Sequence, residues 1–383
     1  MARPLGVYVH FPYCTHRCPY CDFAVTTARP PADGRYARAV RAELALRAAA
    51  FQGLALRSIY LGGGTPSLWA PGEIAQVLAD VRATFAAGAE PAQELTLEVN
   101  PESCDPERLA AWRAAGVNRV SIGVQSFDPG VLAKLGRRHG AERAEQAIRQ
   151  AAQVFGNVSV DLIYGARRST AATAAADAAR AVAAGAGHVS AYALTVEAEA
   201  LAEEVPFVRL AREGRLPLPS EEETLAQARA LRAALRRAGL RRYEISNFAR
   251  PGLESAHNRL YWESESYLGL GAGASGCRRG EDGAPGLRYA NLRDAGEWLA
   301  AVEAGRLPTG EEDPLDAPAE RNERLMLALR TTAGAPLEGL SPAQQAEVRL
   351  LLRRRLAVAR GGRLVLTARG MEVHSGVAGR LFE

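Results

Sequence analysis

The chain has 383 residues, of which 48% are hydrophobic and 23% are charged, and its formal net charge is +4. This length is enough for a large buried core, and we expect one large domain and one smaller domain. No apolar run in the sequence is long enough to cross a bilayer, and the small net charge gives no reason to expect a nucleic-acid partner.

Short apolar runs rich in β-branched residues alternate with helical patterns of Ala, Leu and Arg. The predicted strands are residues 6–11, 58–61, 94–99, 119–124, 158–164, 188–194 and 243–248, and the predicted helices are residues 33–51, 71–85, 106–115, 129–135, 141–155, 169–184 and 221–238. Repeated strand–helix units predict a parallel sheet with helices outside it, either a barrel or a doubly wound sheet. Six such units are too few for a complete eight-fold barrel.

The pattern changes after residues 279–286, a stretch rich in Gly, Asp and Pro that we interpret as a long turn or a domain edge. Further helices are predicted at residues 294–304, 319–329 and 342–355, then a hairpin at 356–367 and a last helix from residue 369. Helices followed by a two-stranded wing resemble a winged helix, but the basic run at residues 353–355 is typical of a solvated face. We therefore predict two domains, residues 1–285 and residues 286–383.

Three of the five cysteines, Cys14, Cys18 and Cys21, lie in the loop after the first predicted strand. Clustered thiolates at short spacing are typical of iron–sulfur or zinc sites. Three thiols are one short of a closed four-thiolate site, which predicts an open metal position or a fourth ligand from elsewhere. The cysteines do not resemble a disulfide framework, and the N-terminus lacks the apolar segment of a secretory signal. We therefore expect a reducing, cytoplasmic compartment.

Other candidate site residues lie at or near the ends of predicted strands. They are Gly63, Gly64 and Thr65 after the second strand, Glu98 in the third, Gln125 after the fourth, Asp161 in the fifth and Ala193 in the sixth. The carboxyl ends of parallel barrel strands form one face, so we expect these residues to converge around the cysteines. The glycines form either a tight turn or a close backbone approach to a ligand. Glu98 and Asp161 are either ligand contacts or buried carboxylates that need partners, and Arg137 is a candidate partner or a solvated helix end.

Five segments carry a family resemblance when they are taken together and in order. They are residues 11–21, with the spacing Cys-x3-Cys-x2-Cys, and residues 61–67, 97–103, 121–127 and 160–165. This set resembles the radical S-adenosylmethionine (SAM) family, in the branch that contains oxygen-independent coproporphyrinogen III dehydrogenase and the HemW heme chaperones. The resemblance covers essentially the whole chain. It implies an α/β fold, a partial (βα)6 TIM-like barrel with a smaller C-terminal helical, winged-helix-like domain.

The resemblance also implies the cofactors and their contacts. Cys14, Cys18 and Cys21 would bind three irons of a [4Fe–4S] cluster, and SAM would bind the open fourth iron. The remaining contacts implied for SAM are Tyr8 and Tyr20 on either side of it, Gly63, Gly64 and Thr65 at its amino-acid part, Glu98 nearby, and Gln125, Arg137, Asp161 and Ala193, which match positions that bind SAM in the dehydrogenase.

Two features choose between the branches of this family. The dehydrogenase has a further cysteine two residues after the third, where this chain has Phe23. Residues 257–262 carry the His-Asn-x-x-Tyr-Trp motif of the HemW proteins. A neutral imidazole can bind heme iron axially, although a histidine beside aromatic residues is more often a hydrogen-bonded core residue. The resemblance makes His257 the candidate heme ligand.

The resemblance therefore favours a heme chaperone that binds heme and transfers it to acceptor proteins, with no catalytic residue assigned. The expected cofactors are a [4Fe–4S] cluster, SAM and heme. The expected partners are heme and heme-acceptor proteins, with no nucleic acid and with membrane contact only through an acceptor. The alternative is the dehydrogenase, which oxidatively decarboxylates coproporphyrinogen III. A third class is a zinc or nucleic-acid module that uses the winged-helix-like end.

Overall fold

A computed structural model of the chain describes residues 2–31, 33–86, 93–196, 201, 204–280 and 285–382. In the stretch at 279–286, interpreted from the sequence as a long turn, residues 281–284 lie outside this description. Within the described part of the chain, no helix has both the length and the apolar character needed to span a membrane.

Six parallel strands form the centre of the fold and pair in chain order. They are β1 (Pro4–Phe11), β2 (Ala55–Gly63), β3 (Glu94–Val99), β4 (Arg119–Gln125), β5 (Asn157–Tyr164) and β6 (His188–Ala193). Apolar side chains such as Val7, Ile59 and Leu97 are fully buried between these strands and the surrounding helices. The predicted partial barrel of six strand–helix units is confirmed.

The helices of this barrel pack outside the sheet. They are α1 (Arg35–Arg47), α2 (Pro71–Thr84), α3 (Pro106–Ala114), α4 (Pro129–Lys134), α5 (Ala141–Val154), α6 (Ala171–Ala184), α7 (Pro206–Arg212) and α8 (Glu221–Arg237). Side chains of Asp105, Asp128, Thr170 and Ser220 accept hydrogen bonds from backbone N–H groups at the starts of their helices. The short helix α7 was not predicted from the sequence.

The two edges of the sheet differ most from the sequence-based prediction. The single strand predicted at residues 243–248 is wrong, because the chain turns there between β7 (Arg241–Arg242) and β8 (Asn247–Ala249), which pair antiparallel. The buried Glu244 carboxylate accepts hydrogen bonds from the Ser246 N–H and the Asn247 amide, which holds this turn. Strand β8 then pairs antiparallel with β6.

The other edge carries a helix and four strands that the sequence did not predict. They are α9 (Ala256–Trp262), β9 (Ser266–Leu270), β10 (Ser275–Arg278), β11 (Gly286–Asn291) and β12 (Thr309–Leu315). Strand β9 is parallel to β1, and the following three strands extend the sheet by antiparallel pairing. Helix α10 (Ala295–Glu303) covers this part, and its Trp298 side chain packs at 5.0 Å from the Tyr36 ring.

The C-terminal segment forms a second hydrophobic core around a three-stranded sheet. Its elements are α11 (Ala317–Arg330), β13 (Ala335–Pro336), α12 (Pro342–Arg353), β14 (Ala357–Arg360), β15 (Arg363–Leu366), α13 (Ala368–Glu372) and α14 (His374–Gly379). The predicted hairpin is confirmed as β14 and β15, with Gly361 and Gly362 both at positive φ in its turn. The large sheet continues past residue 285 through β12, and the domain boundary placed there stays a prediction.

Candidate functional site

A cavity of about 720 Å³ opens at the carboxyl ends of the six parallel strands. Every candidate site residue from the sequence lines it: Tyr8, Cys14, Cys18, Tyr20, Cys21, Gly63, Gly64, Thr65, Glu98, Gln125, Arg137, Asp161, Ala193 and His257. We call this the main cavity. The strand order therefore brings residues from distant parts of the sequence to one face, as expected for a parallel barrel. The roles assigned to the individual residues stay predictions.

The cysteine loop is held against the sheet by backbone hydrogen bonds. The N–H of Cys14 donates to the carbonyl of Thr26 at 2.9 Å, and the N–H of Cys21 donates to the carbonyl of Cys18 at 3.1 Å. A ring nitrogen of His16 lies 3.1 Å from the carbonyl oxygen of Gly136, which joins the loop to the segment after α4. Backbone groups and the His16 ring therefore hold much of the loop in place.

All three thiols are free, and their surroundings suit a metal centre. Burial raises the pKa of the Cys14 thiol, an effect partly opposed by the hydroxyl of Thr65, which donates to this sulfur at 3.4 Å. Burial also raises the pKa of Cys21 to about 11. The guanidinium of Arg137 lies 3.8 Å from the Cys18 sulfur. Thiols of this kind become thiolates when they bind a metal, so the loop fits a cationic cluster chemically.

Within the described residues, no group of three Cys, His, Asp or Glu side chains is placed to hold a single metal ion. In a four-iron cluster each thiolate binds a different iron. Three thiols that line one cavity without meeting at one point therefore fit the cluster implied by the sequence.

The glycine turn after β2 lets the backbone approach the cysteine loop. A Cβ atom on Gly64 would lie 2.9 Å from the Cys14 sulfur, and one on Gly63 would lie 2.6 Å from the His10 ring. Gly63 also has a φ of 112°, which side-chain-bearing residues rarely adopt. The glycines therefore let the turn pack closely on Cys14 and His10, and their approach to a ligand stays a prediction.

Glu98 is a buried carboxylate with two protein donors. It accepts hydrogen bonds from the hydroxyl of Tyr60 at 2.8 Å and from the N–H of Gly63 at 3.1 Å. Burial, with a smaller contribution from the nearby Asp161 carboxylate, raises the pKa of Glu98 to about 7. The group therefore gains a proton easily, and a further cation placed beside it would favour the ionised form.

Asp161 and Arg137 lie at the same end of the sheet but have different partners. Ser121 donates a hydrogen bond to Asp161 at 3.0 Å, and burial raises the pKa of this carboxyl group. Arg137 donates to the side-chain oxygen of Asn100 at 2.7 Å and to the Gly123 carbonyl at 2.8 Å. Arg137 is therefore a half-buried bridge between strand ends, and the solvated helix end considered from the sequence is wrong.

Four further residues that the sequence predicts as SAM contacts also line the main cavity: Tyr8, Tyr20, Gln125 and Ala193. The Tyr8 hydroxyl lies 2.9 Å from a ring nitrogen of His10, and the Tyr20 ring leans on Phe207 with ring centroids 6.3 Å apart. Gln125 has a φ of 68° and sits where the pairing of β4 with β5 shifts register, which turns the end of β4. Ala193 is exposed at the end of β6.

Sequence reasoning missed several lining residues that share one property. Tyr60, Arg119, Ser121 and Ser190 all line the main cavity. Successive side chains of a strand point to opposite faces of the sheet. Each of these residues lies an even number of positions from another lining residue on the same strand or at its end, so this alternation would have identified them. Arg119 carries the clearest signal, since it is a charged residue that begins an apolar strand. Its side chain is 2% exposed, and its Nε atom lies 3.8 Å from the Glu94 carboxylate but has no hydrogen-bond partner within the described residues.

Helix α9 approaches β1 and β2 because a carboxylate and a glycine permit it. Glu94, the first residue of β3, accepts hydrogen bonds from the N–H groups of Ala256 and His257 at 2.9 and 3.1 Å. This places a negative charge at the positive end of the helix. A Cβ atom on Gly6 would lie only 3.0 Å from Leu260, so a larger residue in β1 would push the helix outward.

The His257 ring is held by hydrogen bonds on both of its nitrogens. Nδ1 lies 2.8 Å from the Ser58 hydroxyl and Nε2 lies 2.9 Å from the Tyr261 hydroxyl, and the residue is 1% exposed. Burial lowers the pKa of His257 to about 3, so the ring is neutral. Trp262 packs under the guanidinium of Arg330, 4.4 Å from its ring centroid. An iron bound to His257 would have to replace one of the two hydrogen bonds.

Comparison with known proteins adds the family context. The Radical SAM superfamily model matches residues 8–178. The heme chaperone HemW of Mycobacterium tuberculosis (strain CDC 1551 / Oshkosh) is 38% identical over 372 residues, which cover 96% of this chain and 92% of the relative. HemW of Escherichia coli (strain K12) is 35% identical over 280 residues, covering 71% and 70%. Among solved structures, coproporphyrinogen III oxidase (HemN) from Escherichia coli matches 100% of this chain and 90% of its own, with a TM-score of 0.80 and 21% identity. This last likeness concerns the fold.

Proposed function

Because this chain belongs to the HemW family of radical SAM proteins, we propose that it is a heme chaperone that binds heme and transfers it to acceptor proteins. The observation that carries the proposal is the main cavity, where three free thiols face the polar ends of neighbouring strands. The proposal includes a cytoplasmic location, since thiols that hold a metal cluster persist in a reducing compartment.

In this proposal, Cys14, Cys18 and Cys21 hold three irons of a [4Fe–4S] cluster. The cluster would supply an electron-transfer centre with one open iron for SAM. We propose that SAM is contacted by the remaining predicted lining residues: Tyr8, Tyr20, Gly63, Gly64, Thr65, Glu98, Gln125, Arg137, Asp161 and Ala193.

The charges of the cavity support a ligand that carries both an ammonium and a carboxylate group. Glu98 and Asp161 are buried acids with raised pKa values, and a positive group beside them would stabilise their ionised forms. The Nε atoms of Arg119 and Arg137 are buried and have no hydrogen-bond partner within the described residues, and that of Arg119 lies 3.8 Å from the Glu94 carboxylate. A carboxylate of the ligand would satisfy such donors, and SAM offers both groups.

The role of His257 as a heme ligand is a separate part of the proposal. Its neutral ring is the protonation state that iron requires. Its two hydrogen bonds, to Ser58 and Tyr261, mean that ligation would require movement of the ring or of α9. The alternative function, oxidative decarboxylation of coproporphyrinogen III, is disfavoured by Phe23, which takes the place of the fourth cysteine of that enzyme.

The test is anaerobic reconstitution of the full chain with iron and sulfide, followed by two assays. Added heme should bind stoichiometrically with a shifted Soret band, and the shift should be lost in His257→Ala but kept in His374→Ala. His374 is a matched control because it lies in the C-terminal core, where a ring nitrogen is 2.9 Å from the Met326 carbonyl oxygen.

The second assay adds coproporphyrinogen III and SAM and looks for protoporphyrinogen. Robust product without stoichiometric heme binding would refute the chaperone proposal. The cluster assignment has its own control, because a reconstituted Cys18→Ser protein should lose the absorbance of the [4Fe–4S] cluster. A normal cluster spectrum in that variant would contradict the assignment.

A further inference from the structure

Helix α9 is fastened at its two ends by different parts of the chain. Its first N–H groups donate to Glu94 of β3, and its last residue, Trp262, contacts Arg330, the last residue of α11 in the C-terminal segment. The guanidinium carbon lies 4.4 Å from the centroid of the indole ring, which is within the range of a cation–π interaction. The motif at residues 257–262 therefore joins the candidate heme ligand, at one end of the helix, to the C-terminal segment at the other.

The Arg330 guanidinium is itself held by the turn between β7 and β8. Its Nε atom lies 2.7 Å from the fully buried Glu244 carboxylate, and a terminal nitrogen donates to the Ser246 hydroxyl at 3.1 Å. The N–H of Thr332, two residues after α11, donates to the Tyr243 carbonyl at 3.0 Å. The position of this cation over the indole ring is therefore set by groups that do not belong to α9.

Several polar atoms at this contact are buried without a hydrogen-bond partner. Within the described residues, the Nε1 atom of Trp262 and the Nε atom of Arg330 have none, so the approach of Arg330 to Glu244 is an ion pair without hydrogen-bond geometry. The hydroxyl of Ser264, two residues after α9, is in the same condition, and Ser264 has a φ of 56°, which residues with side chains rarely adopt. Unpaired buried groups and backbone strain are typical of segments that have a second arrangement.

The His257 ring has to leave its place before an iron can bind it, because both of its nitrogens are bonded and the residue is 1% exposed. Its Nδ1 partner, Ser58, belongs to β2, whereas its Nε2 partner, Tyr261, belongs to α9 itself. Movement of α9 away from the sheet therefore frees Nδ1 and keeps the other hydrogen bond. Such movement has to separate Trp262 from Arg330, because the guanidinium is held by the turn between β7 and β8.

We propose that Arg330 is a positioning residue, which restrains α9 through Trp262 and so limits how readily His257 reaches heme. The inference rests on the proposed heme-chaperone function and deepens it, because it assigns the tryptophan of the motif to the C-terminal segment rather than to the heme. Heme binds only the molecules in which α9 has moved, so its apparent affinity is reduced by the fraction of molecules in that state. Weakening the contact between Trp262 and Arg330 therefore strengthens heme binding, whereas loss of a heme-packing contact would weaken it.

The first measurement needs no heme. Hydrogen exchange of the full chain without iron is followed by mass spectrometry in the peptide that contains residues 256–262, for the wild type, Arg330→Gln and Arg321→Gln. Arg321 is the matched control, because it is an exposed arginine of the same helix. We expect exchange in α9 to be about fivefold faster in Arg330→Gln and unchanged in the control, while exchange in α3 stays the same in all three proteins. Equal exchange in α9 for all three would overturn the proposal.

The second measurement titrates the same proteins with hemin and follows the Soret band. Arg330→Gln should lower the dissociation constant about fivefold, and Arg321→Gln should leave it within about twofold of the wild type. The gain should be absent when His257→Ala is added, because it acts through that ring. Trp262→Leu should give the same gain, and its combination with Arg330→Gln should give no more, since both changes remove one contact.

Circular dichroism checks that each variant is folded. If Arg330→Gln does not fold, Trp262→Leu decides, because it leaves the ion pair with Glu244 in place. Weaker hemin binding in the folded Trp262→Leu variant would overturn the proposal and assign the indole to the heme. A wild-type chain that binds no hemin would instead refute the proposed function, and hydrogen exchange would still decide whether Arg330 restrains α9.

Discussion

The cysteine loop and helix α9 both border the main cavity, but they use their polar atoms in opposite ways. The loop is held largely by backbone hydrogen bonds, and the Cys21 sulfur has the backbone of Phe23 as its hydrogen-bond partner. On α9, both ring nitrogens of His257 and the first N–H groups of the helix are bonded to Ser58, Tyr261 and Glu94. The loop therefore keeps its chemistry for a ligand, whereas the helix uses its polar groups to stay in place.

The largest effect on stability should come from His257→Ala. This change leaves a cavity in a fully buried site and removes a partner from each of two buried hydroxyl groups, those of Ser58 and Tyr261. We expect the free energy of unfolding to fall by about 3 kcal/mol, measured by urea denaturation of protein without iron. Tyr261→Phe, which removes only one hydrogen bond, should cost about 1 kcal/mol. If the two variants lowered the free energy of unfolding equally, the buried histidine ring would contribute no more than one hydrogen bond.

Glu94→Gln should have the next largest effect, because it removes the charge at the start of α9. The carboxylate accepts from two backbone N–H groups and from the hydroxyl of Ser255, and lies 3.8 Å from the guanidinium of Arg119. We expect a loss of about 2 kcal/mol in the free energy of unfolding. Glu107→Gln, in the exposed first turn of α3, is the control and should change stability by less than about 0.5 kcal/mol.

Low pH should weaken the contribution that the buried His257 ring of α9 makes to stability. The pKa of His257 is about 3 in the folded protein and about 6.5 in an unfolded chain, so the unfolded state binds more protons between these values. The contribution of His257 to stability should therefore fall as the pH is lowered below about 6.5, by up to about 1.4 kcal/mol per pH unit.

The buried His10, whose pKa is lowered to about 4 for the same reason, adds to this slope in every variant that retains it. Urea denaturation of His257→Gln should show a shallower slope than the wild type between about pH 5 and about pH 6.5. An unchanged slope would mean that the ring is already protonated or exposed in the folded protein.

The sequence predicted the parts of the fold whose pattern is local. Strands β1 to β6 were found because each is a short apolar run followed directly by a helical pattern. The strand β9 was missed because its partner β1 lies more than two hundred residues earlier in the chain. The strand β12 was missed because its residues are mostly exposed and include three acids in succession, a composition typical of a loop.

In the candidate site too, the residues that could be predicted were those whose signal is local in the sequence. Thiols and strand-end acids could be predicted because their residue type is unusual where they stand. The environment of His257 could not, since Ser58 and Glu94 belong to strands far from α9 in the sequence.

The smallest effect on stability should accompany the largest effect on iron binding. Cys21→Ser exchanges a half-buried thiol whose hydrogen-bond partner is the backbone of Phe23, a contact that a serine oxygen can also make, so without iron the free energy of unfolding should change by less than about 0.5 kcal/mol. After reconstitution the variant should lose the cluster absorbance, because a serine hydroxyl is a poor replacement for a soft thiolate. Cys277→Ser is the opposite case. Its thiol is fully buried in β10, away from the main cavity, so a hydroxyl there should cost about 1–2 kcal/mol while iron binding is retained. If Cys21→Ser destabilised the protein as much as Cys277→Ser, the loop would have a structural role of its own, and the contrast with α9 would fail.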